Sequence, residues 1–240
     1  MILAHFMGIE PGGPYERQHA MFTPGRDRAV GNFLRLWAGA GASGTMPVHE
    51  SEPMIVYIHG FNSSPASTKA HQLRARLTTL GREQELVCPA LSHWPAEAFR
   101  MLEKTIEGRA PDSVTVVGSS LGGFYATALT EKYGGRSVLV NPGITPHEGL
   151  RAYLGPQKNL HTGEPYEFTE KHLEQMTALY VGQPTKLDRY LLLHTTGDEL
   201  LDWRIAVDHF AGCRQIIVQG GDHGFAEFER YLDIVLEFAK

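Results

Sequence analysis

A serine between glycines is the clearest candidate for a nucleophile in this sequence. Gly118-Ser119-Ser120-Leu121-Gly122 fits the pattern G-x-S-x-G, and it separates an apolar β-branched run from a helical pattern. In a strand-turn-helix of this kind, the turn is too tight for side chains at the two glycine positions, and it exposes the central hydroxyl. The pattern therefore predicts that Ser120 attacks a carbonyl carbon.

A serine hydroxyl becomes a good nucleophile only when a base removes its proton, so a histidine is expected beside Ser120. Among the 12 histidines, His223 stands in GGDHG, residues 220–224, directly after the last β-branched run. A loop at that point can bring an imidazole to the serine. His194 lies inside another run and is interpreted as an internal structural residue. We therefore predict that His223 is the general base.

The imidazole in turn needs a carboxylate that fixes its tautomer and stabilises the imidazolium. Asp198 directly follows a β-branched run and is the preferred candidate. Asp202 is better placed as the N-cap of a helix, and Asp222 is adjacent to His223, where the required geometry is rare. The chain order Ser, Asp, His is that of the α/β-hydrolase triads.

Acyl transfer also requires hydrogen-bond donors for the oxyanion of the tetrahedral intermediate. The first β-branched run ends in HGFNSSP, residues 59–65, whose glycine permits a bend toward the site. The backbone N–H groups of Phe61 and Leu121 are the two predicted donors. His59 is interpreted as a residue that binds loop backbone and takes no part in catalysis.

The elements that must position these residues alternate between strands and helices. Nearly continuous apolar runs are typical of strands buried on both faces, and helical patterns separate them. This alternation predicts an α/β fold of the α/β-hydrolase type, with a mostly parallel six-stranded sheet and helices on both faces. Reactive groups are then expected at the carboxyl ends of the strands. The six runs are residues 54–58, 85–90, 113–118, 137–141, 190–195 and 214–219.

One long connection, residues 142–189, interrupts the alternation and contains helical pieces and several aromatic residues. A connection of this length is usually functional, so it is predicted to form a small helical cap over the active end of the sheet. Large side chains from the cap and the strand-end loops are candidates for an acyl pocket, although each is equally compatible with a place in the core. These candidates are Trp94, Tyr153, Tyr166, Met176 and Phe225.

The chain divides near Met54. Residues 1–53 contain 8 of the 26 glycines and 5 of the 14 prolines, and they show little periodicity. We interpret them as an irregular extension that is flexible or that precedes the native start at Met54, with a docking or dimerisation arm as the alternative. Residues 54–240 are then the hydrolase domain.

The composition of the chain excludes several classes of protein. With 240 residues and a net charge of -5, it lacks the basic balance of a nucleic-acid binder. Two cysteines do not build a disulfide framework or a four-ligand zinc site, and they indicate a reducing compartment. No apolar stretch is long enough to span a membrane. A soluble, cytoplasmic protein without a metal or organic cofactor is expected.

Several blocks are longer than any single motif, and they resemble the bacterial YqiA-like (UPF0227-type) esterases of the α/β-hydrolase superfamily. They include MIVYIHGFNSSPASTKA, VVGSSLGGFYATALTEKYG, TGDELLDW and GGDHGFAEFERYLDIVLEF. The resemblance covers nearly all of residues 54–240, and members of that family begin at the strand that matches Met54. It implies hydrolysis of carboxylic esters and acyl-CoA thioesters, with Ser120, Asp198 and His223 in the positions of the family's catalytic residues.

Together these features predict a serine esterase or thioesterase with a small-molecule ester or acyl-CoA substrate. Two alternatives remain. A triad on this fold also serves acyltransferases, peptidases and C–C hydrolases, and the same scaffold can carry a binding protein without catalysis.

Overall fold

A six-stranded parallel β-sheet forms the centre of the protein in the computed structural model, which describes residues 52–240. Its strand order is β2-β1-β3-β4-β7-β8, and every neighbouring pair is parallel. The predicted α/β class is confirmed, and the sheet is parallel throughout. The predictions for residues 1–51 lie outside the described part of the chain. The sheet strands are β1 (Met54–Ile58), β2 (Leu86–Val87), β3 (Val114–Ser119), β4 (Arg136–Val140), β7 (Tyr190–Thr195) and β8 (Arg214–Val218).

Helices pack on both faces of this sheet, as predicted. In β1, Ile55 and Tyr57 belong to the core beneath α1 and α7, while Val56 and Ile58 belong to the core beneath α2 and α3. This alternation follows from the period of two in a strand, and it explains why β1 is apolar at successive positions. The helices are α1 (Thr68–Thr79), α2 (Pro95–Ile106), α3 (Leu121–Tyr133), α4 (Pro146–Gly149), α5 (Glu170–Leu179), α6 (Trp203–His209) and α7 (Leu232–Phe238).

The segment between β4 and β7 contains an antiparallel hairpin as well as the two predicted helical pieces, α4 and α5. The hairpin strands are β5 (Gly155–Lys158) and β6 (Pro165–Phe168). The hairpin was not predicted, because GPQK and PYEF contain no β-branched residue and each contains a proline.

Hydrogen bonds hold this hairpin against the loop that follows β1. Asn62 Nδ2 donates to Gln157 Oε1 at 3.0 Å, and the Tyr166 hydroxyl donates to Asn62 Oδ1 at 2.6 Å. Asn159 Nδ2 donates to the carbonyl oxygen of Ser63 at 3.0 Å. The hairpin therefore covers part of the carboxyl end of the sheet. No helix in residues 52–240 combines the length and the apolar character needed to cross a bilayer.

Candidate active site

Ser120 occupies a sharp turn between β3 and α3, with a backbone φ of 55° and ψ of -121°. A positive φ is uncommon for a residue with a side chain, so the turn holds Ser120 in a strained conformation. A Cβ at Gly118 would lie 2.3 Å from the carbonyl oxygen of Gly122, and a Cβ at Gly122 would lie 2.1 Å from that of Ile58. The two glycines are thus required by the close approach of three backbone segments.

Three side chains from three strand ends form one hydrogen-bonded chain. Ser120 Oγ lies 2.9 Å from His223 Nε2, and His223 Nδ1 lies 2.8 Å from Asp198 Oδ2. With the Nδ1 proton directed at the carboxylate, the Nε2 lone pair faces the serine hydroxyl. The arrangement can therefore transfer the Ser120 proton to His223. It brings together the three residues that the sequence singled out.

The carboxylate of Asp198 is fully buried and hydrogen-bonded through both oxygens. Its side chain has 0% solvent exposure, and its Oδ1 accepts the backbone N–H groups of Leu200 and Leu201, each at 2.9 Å. These bonds fix the orientation of the carboxyl group while Oδ2 faces His223. Buried charges of this kind need such partners, because burial without them is strongly unfavourable.

The other two aspartates considered from the sequence do not contact the imidazole of His223. Asp202 is the N-cap of α6, where its Oδ1 accepts the backbone N–H of Arg204 at 3.0 Å. The backbone carbonyl of Asp222 accepts the Thr195 hydroxyl at 2.9 Å, and its buried Oδ1 has no partner among the described residues.

Side chains from neighbouring strand ends hold the loop that carries His223. Asn141 Nδ2 donates to the carbonyl oxygens of Asp222 and His223 at 3.0 and 3.1 Å. The His223 N–H donates to Glu199 Oε2 at 2.9 Å. Sequence reasoning missed both holding residues. A signal was present for Asn141, which directly follows β4 and has a φ of 43°, because asparagine is enriched at positive φ.

Lys69 of α1 also contacts this loop, and it was not predicted. Lys69 is partly buried, and its ammonium group donates to the carbonyl oxygen of Gly224, the residue after His223. Burial lowers the pKa of Lys69 to about 8, because the charged form loses hydration. Nearby Asp222 and Asp198 oppose that shift.

The two predicted oxyanion donors lie close to the nucleophile. A Cβ on Gly60, the residue before Phe61, would be 3.2 Å from Ser120 Cβ, so the loop after β1 passes directly beside the serine. Leu121 is the first residue of α3, where backbone N–H groups have no intrahelical acceptor. Within residues 52–240, neither the Phe61 nor the Leu121 N–H donates to a protein acceptor.

His59 binds loop backbone, as the sequence indicated. Its Nδ1 donates to the carbonyl oxygen of Gly60 at 3.0 Å, and its Nε2 accepts the Leu91 N–H at 3.3 Å. Burial lowers the pKa of His59, which favours the neutral ring that both bonds require. His59 thus joins the loop after β1 to the segment before α2.

Two cavities, each of about 280 Å³, lie on either side of the loop after β1, and one of them contains Ser120 while the other reaches the adjacent Leu121. The Ser120 cavity is lined by Ser120, His223, Lys69, Tyr153 and apolar residues that include Leu200.

The His93 cavity is lined by residues that include His93, Leu121, Tyr166 and Met176. Phe61 lines both cavities. Tyr153 and Tyr166 line these cavities and are partly exposed. Met176 borders the His93 cavity but is 1% exposed and belongs to the core.

The other two pocket candidates line neither cavity. Phe225 is 1% exposed and packs edge-to-face against Phe228 and Tyr231 in the core beneath α7. Its assignment to the pocket is corrected to the core. The Trp94 ring stacks on His172 with the ring centres 3.9 Å apart.

Within residues 52–240, no group of three or more His, Cys, Asp or Glu side chains is arranged to hold a metal ion.

Comparison with known proteins gives a family and a fold. The family described as "Uncharacterised protein family (UPF0227)" matches residues 54–240. A UPF0227 protein of Pectobacterium atrosepticum is 26% identical over 151 residues, which cover 60% of this chain and 83% of that protein. The resemblance inferred from the sequence blocks is thus confirmed.

Solved structures with low sequence identity share the α/β-hydrolase fold. The mouse alpha/beta hydrolase domain-containing protein 10 has a TM-score of 0.59 at 15% identity, covering 78% of this chain and 91% of its own. The esterase domain of a Rhodothermus marinus protein has a TM-score of 0.55 at 16% identity, covering 80% and 88%. At these identities the likeness establishes the fold alone.

Proposed function

The chain belongs to the UPF0227 family, and we propose that it is a serine hydrolase of carboxylic esters or acyl-CoA thioesters. The observation that carries this proposal is the hydrogen-bonded chain from Ser120 through His223 to Asp198. It stands at the strand-to-helix turn where α/β-hydrolases place their nucleophile. Ser120, His223 and Asp198 are assigned as nucleophile, general base and orienting carboxylate.

In the first half of the reaction, Ser120 Oγ attacks the carbonyl carbon while His223 Nε2 takes the hydroxyl proton. The tetrahedral intermediate then collapses, and the bond to the alcohol or thiol breaks. His223 returns the proton to that leaving group, and the acyl group stays on Ser120 as an ester. Asp198 stabilises the imidazolium between the two proton transfers.

The intermediate carries a negative oxygen that needs preorganised donors. The N–H groups of Phe61 and Leu121 are assigned to this role, because neither has a protein acceptor among residues 52–240 and both lie close to the serine. Leu121 adds the positive end of the α3 dipole.

In the second half, His223 removes a proton from water, which attacks the acyl-enzyme and releases the acid. The Ser120 hydroxyl is restored when it takes this proton from His223. The two cavities beside Ser120 provide space for both substituents of the ester carbonyl.

The test is the hydrolysis of p-nitrophenyl butyrate by the Ser120→Ala variant, with Ser113→Ala as the matched control. Ser113 lies just before β3, at the end of that strand opposite to Ser120. Ser120→Ala is expected to lose about 10³-fold or more in kcat with an unchanged circular dichroism spectrum. Substantial turnover by a folded Ser120→Ala protein would overturn the proposal.

A further inference from the structure

Lys69 is a cation inside the cavity that contains Ser120 and His223, and the mechanism above does not use its charge. Lysines usually keep their ammonium group in water while the aliphatic stem packs against the protein. Lys69 instead directs its ammonium inward, where it donates to the carbonyl oxygen of Gly224.

The ammonium of Lys69 forms no ion pair with a carboxylate of residues 52–240, although the charges of Asp222 and Asp198 are near enough to raise its pKa. Among the described residues, the carbonyl oxygen of Gly224 is the one hydrogen-bond acceptor of its Nζ. An ammonium group has three donors, so two remain for another molecule. Burying a charge without a partner is unfavourable, and the lowered pKa of Lys69 reflects that loss of hydration.

The remainder of the Ser120 cavity suits an anion joined to an apolar group. No aspartate or glutamate of residues 52–240 lines the cavity, so nothing on its walls repels an anion directly. Leu150, Leu200 and Leu201 supply apolar wall. A charge-assisted hydrogen bond is stronger in such surroundings than in water.

We propose that Lys69 is a specificity-determining residue that binds a carboxylate carried by the ester substrate. The inference rests on the proposed function, since it assigns part of the substrate of the same site. The carboxylate belongs either to the acyl part or to the alcohol part, because both parts lie next to Ser120 during the reaction. The recognition chemistry is the same in both cases.

Two pairs of substrates separate these sources. The acyl pair is p-nitrophenyl monoadipate and its neutral carboxamide, p-nitrophenyl adipamate. The alcohol pair is p-carboxyphenyl hexanoate and neutral p-carbamoylphenyl hexanoate. Within each pair the shape is nearly constant and only the charge differs. We expect the wild-type protein to prefer the anionic member of one pair by roughly tenfold to a hundredfold in kcat/KM.

The Lys69→Met variant keeps the apolar stem and removes the charge. It is expected to lose the preference within the discriminating pair, whereas Lys69→Arg retains it in part. Lys104→Met is the matched control, since Lys104 is exposed on α2 and lines neither cavity beside Ser120. The preference should be unchanged in that variant.

Two results would overturn the role of Lys69. One is a wild-type protein that prefers neither anionic substrate. The other is a Lys69→Met variant whose kcat/KM falls by the same factor for both members of a pair. That result would assign Lys69 to holding the His223 loop through Gly224. If the wild-type protein also hydrolyses none of the four esters, the proposed function fails together with this inference. Turnover without a charge preference removes the inference alone.

Discussion

His223 Nδ1 lies 2.8 Å from Asp198 Oδ2, and these two residues lie in different loops, after β8 and β7 respectively. The other carboxylate oxygen, Asp198 Oδ1, accepts two backbone N–H groups, and these hydrogen bonds hold the carboxylate in one orientation. The imidazole is therefore aligned before any substrate binds. Such alignment is a large part of what a triad contributes to catalysis.

Asp198→Asn is expected to lower kcat for p-nitrophenyl butyrate by about 10³ to 10⁴-fold, since an amide can hold the imidazole in the wrong tautomer. Asp202→Asn is the matched control. It keeps an N-cap residue on α6 and lies outside the hydrogen-bonded chain. Steady-state kinetics of both variants distinguish the two aspartates. A larger loss for Asp202→Asn would show that the wrong carboxylate has been assigned.

Asn141→Gly should disturb the position of His223 without altering its chemistry. Glycine accepts the positive φ of Asn141, but it removes the donor that holds two backbone carbonyls of the His223 loop. We expect kcat to fall by about tenfold to a hundredfold, and the free energy of unfolding to fall by about 1 to 3 kcal/mol. Kinetics and urea unfolding measure the two effects. An unchanged kcat would mean that the loop keeps its position without Asn141.

Gly122→Ala is expected to destabilise the protein by about 3 kcal/mol or more, because the new Cβ would overlap a backbone oxygen of β1. Gly143→Ala is the control. Its Cβ would meet its nearest neighbour at 3.8 Å, and Gly143 does not have a positive φ. Thermal unfolding of both variants tests the difference. Equal melting temperatures would contradict the close approach of α3 and β1.

Because three histidines are buried, we expect the free energy of unfolding to fall in mild acid. His172 and His194 are 0% exposed and His59 is 7% exposed, and burial lowers the pKa of each. In the unfolded chain their pKa values return to about 6.5, so below that pH the unfolded state binds more protons than the folded state. The contribution of these neutral histidines to the free energy of unfolding is therefore fully present above about pH 6.5, and it is lost progressively as the pH falls below that value.

The measurement is urea unfolding at about pH 7.5 and about pH 5.5, for the wild-type protein and for His194→Phe. The variant replaces a buried imidazole with an apolar ring that does not titrate, so its stability should depend less on pH. Ionisable groups that do not interact with His194 contribute equally to both proteins, so the comparison isolates His194 and its charged neighbours Asp198, His223 and Asp202. An equal pH dependence in the two proteins would contradict the assignment of His194 as a buried neutral histidine.

Local patterns were sufficient to predict the strands that carry the site. β1 and β7 have the bounds of their apolar runs, because each is buried on both faces and needs apolar residues at successive positions. The run at residues 85–90 forms only the short strand Leu86–Val87, since Pro89 has no N–H for a longer ladder. The β5–β6 hairpin has no such pattern, and its position depends on contacts with distant Asn62 and Ser63.

The same distinction applies to the candidate site. Ser120, Asp198 and His223 could be predicted to lie close together because each follows a strand, and parallel strands bring their carboxyl ends together. Asn141, Glu199 and Lys69 contact the backbone of a loop far away in the sequence. No short pattern encodes such contacts, so these residues became visible only in the folded chain.

The central claim is that Ser120 is an activated nucleophile. The most direct measurement is reaction with a fluorophosphonate probe, followed by mass spectrometry of the labelled peptide. We expect stoichiometric labelling of Ser120, little or no labelling of the folded His223→Ala variant, and competition by p-nitrophenyl butyrate. A protein that remains unlabelled, or that is labelled at another serine, would contradict it.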